Sequence, residues 1–247
     1  MPRAAREKSL SGIYHVMLRG INKQTLFSDD EDNKKFLQIL TDCKNISEYI
    51  LYGYCLMGNH VHLLIKEQKE SMEQIFKRIG TRYVYWYNVK YKRCGHLFQD
   101  RYKSEAINDD KYFITVLRYI HQNPLKAGIC KTINNYKWSS YSDYINKNEI
   151  IDFELAFGII GEKDFEQYMN TDNGDMCLEY ANPESKLTDK ELIEEIEKKI
   201  NIKAIAIQNE PREIMLTLLK EILTIKGAST RQISRVTGVS VNIIWGL

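Results

Sequence analysis

The sequence predicts an α+β domain, helices packed on a small antiparallel sheet, followed by a small all-α C-terminal region. Three observations carry that expectation. Strand-type and helix-type segments alternate in the order βαββαβα through the N-terminal half, the two central strand segments are separated by only a few residues, and the C-terminal segments keep helical periodicity alone.

The elements follow in order. Gly12 to Arg19 alternates polar and apolar residues as a strand does, and Ser28-Asp29-Asp30-Glu31 then caps a helix to about Asn45 with Phe36, Ile39 and Leu40 on its inner face. Tyr49 to Tyr54 and Val61 to Lys66 are β-rich runs flanking Leu56-Met57-Gly58-Asn59, a hairpin or one bent strand. Ser71 to about Lys90 is helical, His96 to Ile107 reads as a strand, and Asp109-Asp110 opens a helix that Pro124 should end or kink.

Beyond Tyr144 the aromatic and basic character fades. The stretch 151–186 is acidic, with short helical patterns and Asn-Gly and Asn-Pro breaks, and reads as a connector between a body at 1–150 and a helical C-terminal domain at 187–247. In that domain Thr188-Asp189-Lys190-Glu191 forms a capping-box pattern for a helix to about Ile200, and Ile214, Leu216, Leu218, Leu219 and Ile222 mark a second helix. Ser229 to Leu247 resembles a helix-turn-helix: Thr230 to Thr237, a turn at Gly238, and a short reader from Ser240.

With 247 residues, 43% of them hydrophobic, the chain has material for one good core and a smaller second one. No run of about 18 apolar residues exists to span a bilayer, and the polar N-terminus offers no apolar signal segment, so a cytoplasmic protein is expected. Five scattered cysteines without a CxxC pair suggest reduced thiols rather than disulfides or zinc. Residues 1–150 carry 24 Lys and Arg against 16 Asp and Glu, whereas 151–247 carry 11 against 17. A basic body suits a polyanion such as nucleic acid, although surface lysines of an ordinary enzyme give the same sum.

Asn59-His60-Val61-His62-Leu63-Leu64-Ile65 is the most informative segment. Side chains two apart on a strand share a face, so both imidazoles can meet one ion while Val61 and Leu63 enter the core. A cation placed on a scissile phosphate would neutralise charge that builds during its transfer. Two strand histidines facing solvent or bonding to neighbours would leave the same pattern, and His15 and His96, also in strand-like segments, read as structural. On the helix before Pro124, Phe113, Val116, Leu117 and Ile120 form an apolar stripe with Tyr119 beside it and Asn123 one turn on. A phenol attacks phosphorus poorly without an adjacent cation or base, and the Asn123 carbonyl oxygen could join the metal. His121 and Gln122 are weaker alternatives for that third ligand, and a tyrosine half-buried at a helix edge is the bland alternative for Tyr119.

With His60-Val61-His62 and Tyr119-Ile120-His121-Gln122-Asn123-Pro124 both in view, the chain resembles the single-tyrosine HUH transposases, of insertion-sequence and REP-associated type. Four further stretches over roughly residues 10–145 look like family segments in family order: Arg19 to Gln24, Tyr54 to His62, Gly95 to Ser104, and Trp138 to Tyr141. The resemblance implies a ferredoxin-like sheet, a tyrosine that cleaves and rejoins single-stranded DNA through a 5′-phosphotyrosine link, and hairpin or palindromic DNA ends as partner. Carried over residue by residue, Tyr119 would be the nucleophile and His60, His62 and Asn123 the ligands of Mg²⁺ or Mn²⁺. A domesticated nicking and joining enzyme would use the same site, and a non-catalytic DNA-binding regulator would use the C-terminal helices instead. Whether the tyrosine acts within one chain or across a homodimer stays open.

Between Met72 and Lys103 basic residues interleave with aromatics, the mixture that tracks phosphates and stacks bases. Arg78, Arg82, Lys92, Arg93, Arg101 and Lys103, with Arg19 and Lys23 after the first strand, are the expected DNA contacts. Phe76, Tyr83 and Tyr87 fall at helical spacing and read as core rather than platform.

Overall fold

Four strands, β1 (Ile13–Arg19), β2 (Ile50–Met57), β3 (His60–Lys66) and β4 (Lys103–Ile107), pair antiparallel in the order β2-β3-β1-β4. A computed structural model describes residues 6–172, 174, 175, 177, 178, 189–225, 228 and 230–246, which fall into two units, Met1–Leu178 and Glu179–Leu247. The pairing makes β1 parallel to β2 and β3 parallel to β4. Each parallel pair is joined by one helix, α1 (Asp30–Ser47) or α2 (Met72–Lys90). Both crossovers obey the same handedness, so both helices cover one face of the sheet, where they pack against each other. This is the ferredoxin-like arrangement.

The caps explain where the helices begin. Asp29 and Asp32 exchange side-chain and backbone bonds at the start of α1, and Ser71 and Gln74 do the same for α2. Strand alternation sends Val16, Leu18, Val61, Leu63 and Ile65, all buried, to the face that α1 and α2 cover. Phe36, Leu40, Ile75 and Ile79 join them in one core cluster. The expected core aromatics Phe76, Tyr83 and Tyr87 are buried, and the Tyr83 hydroxyl donates to the Leu26 carbonyl at 2.7 Å.

The other face is covered by α3 (Asp110–Lys126). Pro124 does not end it: the helix continues through the proline to Lys126, and the Ala127 N–H closes on the Asn123 carbonyl at 2.9 Å. In the last turn the missing N–H costs a single ladder bond. Gly53 of β2 lets α3 approach closely, since a Cβ there would lie 2.7 Å from Leu117 Cδ1. The fourth strand is shorter than the sequence suggests. Residues 96–102 form a loop whose backbone bonds to the end of β1, Ile21 N–H to Leu97 C=O at 2.9 Å and Gln99 N–H to Arg19 C=O at 2.8 Å.

The stretch read as an acidic connector is instead part of the first unit's core over its described residues. After α4 (Tyr141–Asn146), α5 (Glu154–Ile160) and α6 (Glu162–Asn170) pack against α3. Phe165 and Met169 are buried, and the Gln122 amide donates to the Met169 and Thr171 carbonyls at 2.8 and 2.9 Å. The acids lie on the outward side of these helices, so charge disguised an amphipathic pattern.

The second unit holds α7 (Asp189–Ile200), α8 (Arg212–Ile222), α9 (Thr230–Thr237) and α10 (Val241–Trp245) around Leu192, Ile196, Leu219, Ile222 and Ile233. Thr188 and Ser229, where the sequence places a cap and a domain start, lie outside the described residues. Gly238 makes the turn between α9 and α10 with φ of 75°, a conformation that favours glycine. The helix in the reader position spans five residues. Among the described residues no helix is long and apolar enough to cross a membrane.

Candidate active site

Strand register brings chemistry to the α3 side of the sheet. Met17 pairs with His62, Arg19 with His60, His15 with both Leu64 and Glu105, and Cys55 with His62. Directly paired residues share a face, so His15, His60, His62 and Glu105 all point toward α3. Arg19, His60 and Lys103 lie at one end of the sheet, where β1 finishes and β3 and β4 begin.

His60 is held by its neighbour. Its Nδ1 lies 2.7 Å from Asn59 Oδ1, while Asn59 Nδ2 donates to the Lys23 carbonyl at 3.4 Å. That second bond orients the amide, so Oδ1 accepts the His60 Nδ1 proton and the lone pair resides on Nε2. Around this turn Gly20 N–H donates to the Asn59 carbonyl and Leu26 N–H to the Gly58 carbonyl, at 2.9 and 2.8 Å. A Cβ on Gly20 would stand 2.1 Å from the Gln24 carbonyl oxygen, so the loop closes against the hairpin only with glycine there.

His62 lies deeper, 1% exposed, with its ring centroid 5.0 Å from that of His60 and its Nδ1 2.9 Å from His15 Nε2. Burial, then the proximity of His15 and His60, holds its pKa well below the ordinary histidine value. A neutral ring is what metal ligation requires. His15 is fully buried and also lowered, by desolvation against the opposing pull of Glu105. The Glu105 carboxylate stands 3.7 Å from His15 Nδ1, which is chiefly what lowers its own pKa. His15 was thus undervalued in sequence. It is buried as expected, yet against the deeper histidine of the pair.

The α3 helix delivers Tyr119 to this cluster. The phenol ring centroid is 5.7 Å from that of His62 and 5.9 Å from that of His15, both edge-on. The residue is only 2% exposed. Lys126 Nζ stands 5.2 Å from its ring centroid and donates to the Asp175 carbonyl at 2.9 Å, and the adjacent Arg118 pairs with the Asp175 carboxylate at 2.7 and 3.0 Å.

The three alternatives for a third ligand separate by face. Gln122 is committed to the Met169 and Thr171 carbonyls, and His121 to Ser140 Oγ at 2.9 Å, among Tyr141, Tyr144 and Phe165. Burial alone pushes the His121 pKa down to about 3, marking a core histidine. Asn123 sits one turn beyond Tyr119, half-buried, and its side-chain nitrogen is buried without a hydrogen-bond partner. An amide so uncommitted, whose nitrogen and oxygen are interchangeable by rotation, fits a ligand role. Among the described residues no group of three His, Cys, Asp or Glu side chains could hold a metal ion. His60, His62 and Asn123 are thus the residues that could hold an ion.

The basic residues divide. Arg19 and Lys103 share the histidine face, Lys23 is exposed in the turn after β1, and Arg101 lines a cleft with Ile21, His96 and Phe98. Lys92 is exposed just past α2, and Arg93 donates to the His96 carbonyl at 3.2 Å. Arg78 and Arg82 lie on α2, on the sheet's opposite side from the histidines. Arg82 is exposed, whereas Arg78 is bound to Glu70 and Ser47. Sequence showed the Arg78 charge but not the carboxylate that occupies it. Of the aromatic residues interleaved there, Tyr85 at 74% exposed has the accessible face that base stacking needs.

Residues 8–123 match the family described as "Transposase IS200 like". Among solved structures the fold is similar to that of a REP-associated tyrosine transposase bound to a REP hairpin, with a TM-score of 0.52 and 15% identity over 63% of this chain and 96% of that one. A putative transposase from Deinococcus radiodurans aligns over 49% of this chain and 97% of its own at 16% identity, with a TM-score of 0.35. No curated protein matches the sequence. The structural likeness speaks to the fold, and the family match contains His60, His62 and every residue from Tyr119 to Asn123. Over residues 8–123, a little under half of its length, the chain is thus similar to the single-tyrosine HUH transposases of IS200-like type, enzymes that act on DNA.

Proposed function

We propose that this protein cleaves and rejoins single-stranded DNA at hairpin-bearing ends, with Tyr119 as nucleophile and a divalent ion, Mg²⁺ or Mn²⁺, held by His60, His62 and Asn123. The observation that carries the reading is the packing of the Tyr119 ring on His62, 5.7 Å between centroids, by a helix 57 residues further along the chain. In the forward step the phenol oxygen bonds to phosphorus, the bond from phosphorus to the 3′ oxygen breaks, and that oxygen leaves as a 3′-hydroxyl after taking a proton. The phosphotyrosyl ester keeps the energy of the broken phosphodiester, so attack by a 3′-hydroxyl reverses the step without ATP. A bound ion would supply charge neutralisation at the phosphate oxygens. His60 and His62 would present nitrogen lone pairs to it, and Asn123 would offer a harder oxygen.

Arg19, Lys23, Arg101 and Lys103 would hold the phosphates flanking the cut, with Lys92 and Arg93 near the same loop. Hairpin ends are the favoured partner because the structurally similar REP-associated transposase was bound to a hairpin. A homodimer that exchanges its tyrosine-bearing helices would use the same groups. The five-residue α10 gives the second unit little helix with which to read a groove, so we assign chemistry and strand binding to the first unit.

The test is cleavage of a hairpin-bearing oligonucleotide in Mn²⁺. The parent protein should be recovered covalently on the new 5′ end, and Tyr119→Phe should lose about 10⁴-fold or more in rate together with the adduct. Undiminished cleavage by Tyr119→Phe, or cleavage without any adduct, would reject this nucleophile.

A further inference from the structure

We infer that Glu105 and His15 are positioning residues: they form a relay that fixes the proton on His62 Nδ1 and so keeps the metal-facing lone pair on His62 Nε2. The inference rests on the metal reading above and adds two residues to it. Three observations meet. His15 Nε2 and His62 Nδ1 are 2.9 Å apart, His15 Nδ1 is buried without a hydrogen-bond partner, and the Glu105 carboxylate is 3.7 Å from that nitrogen. Strand pairing holds the order, because β1 lies between β3 and β4 with His15 opposite Leu64 on one side and Glu105 on the other.

Counting protons fixes the direction. An ionised carboxylate only accepts, so the His15 ring carries its proton on Nδ1, toward Glu105. A neutral His15 then has its lone pair on Nε2. The 2.9 Å bond must accordingly be donated by His62 Nδ1, which leaves Nε2 as the nitrogen able to bind an ion. With the relay reversed, His62 would carry its proton on Nε2 and could not ligate there. The carboxylate is itself anchored, since Glu105 accepts the Leu178 N–H at 3.2 Å. His60 receives the same instruction from a nearer source, the Asn59 amide. Each histidine of the pair thus has its own orienting partner, one local and one assembled across three strands.

The test uses the full-length protein labelled with ¹⁵N-histidine and needs no catalysis. Long-range ¹H–¹⁵N spectra should show His15 and His62 both protonated on Nδ1. In His15→Phe, where His62 Nδ1–H loses its acceptor, Mn²⁺ affinity should fall about 10–100-fold, and in His15→Gln, whose amide oxygen can accept the same proton, most of it should return. Thermal midpoints of the two variants, measured alongside, should differ by far less than their affinities. An Nε2-protonated His62 in the parent protein, or His15→Phe binding Mn²⁺ as tightly as the parent, would overturn the inference. Failure of the parent protein to bind Mn²⁺ would reject the metal reading itself, and the tautomer spectra would still decide the relay.

Discussion

The two faces of one sheet are built from alternate residues of the same strands, and they do different things. Toward α1 and α2, β1 and β3 present Val16, Leu18, Val61, Leu63 and Ile65, a dry apolar layer with no groups to pair. Toward α3 they present His15, His60 and His62, joined from β4 by Glu105 and Lys103. A single residue step decides whether a side chain joins the apolar layer or the histidine cluster. The rigid face is what makes the polar one possible: strands fixed by apolar packing hold imidazoles at separations that a loop would not keep.

The comparison breaks most sharply at neighbouring positions of β3. His62→Ala removes a proposed ligand and should lower metal-dependent cleavage by about 10³-fold or more while the fold persists. Leu63→Ala, one residue on and facing the other way, should cost about 2–5 kcal/mol of stability by leaving a cavity. At temperatures where that variant remains folded its cleavage rate should stay near the parent value. Urea titration alongside cleavage assays separates the two effects. Equal loss of stability in both variants would mean that the polar face is merely a second core.

A smaller effect distinguishes the faces in DNA binding. Arg19→Ala and Lys103→Ala should each weaken binding of a hairpin-bearing oligonucleotide and reduce the slope of log affinity against log salt by about one phosphate contact. Arg78→Ala, on α2 and already bound to Glu70, should leave that slope unchanged. Fluorescence anisotropy over a salt series reads all three. An Arg78 effect as large as that of Arg19 would place DNA across the helical layer instead.

The smallest expected effect concerns acid. His121 has a folded-state pKa of about 3 against an ordinary value near 6.5, so it is neutral in both folded and unfolded chains above 6.5. Between 6.5 and about 3 only the unfolded chain takes the proton, and stability should fall by about 1.4 kcal/mol for each pH unit that this histidine contributes. Urea midpoints from pH 7 down to 4.5 should show the decline, and His121→Phe should flatten it. No change in slope would show that His121 protonates within the fold.

What sequence revealed depended on distance along the chain. The spacing of His60 and His62 is a local signal, because a period of two puts both on one face in any strand, and the four-residue step from Tyr119 to Asn123 is equally local on a helix. The relay was not legible. His15 precedes His62 by 47 residues and Glu105 follows it by 43, and they meet only through strand register, which no short pattern encodes. Arg78 shows the same limit, since its charge is visible in sequence but the Glu70 that binds it lies across the start of a helix. The stretch from Ile151 to Thr171 misled for a different reason: five acids against a single lysine gave it the charge of a connector, while apolar residues interleaved with them, Phe165 and Met169 among them, tie it to α3.

The central claim is spatial, that two strand imidazoles and a phenol from α3 surround one ion. Paramagnetic broadening by Mn²⁺ tests it directly in protein carrying ¹⁵N-histidine and ¹³C-tyrosine. The account predicts that the His60, His62 and Tyr119 ring signals vanish together at substoichiometric Mn²⁺, while His121 and the exposed Tyr85 persist. Loss of the histidine signals with Tyr119 untouched, or broadening centred elsewhere, would contradict it.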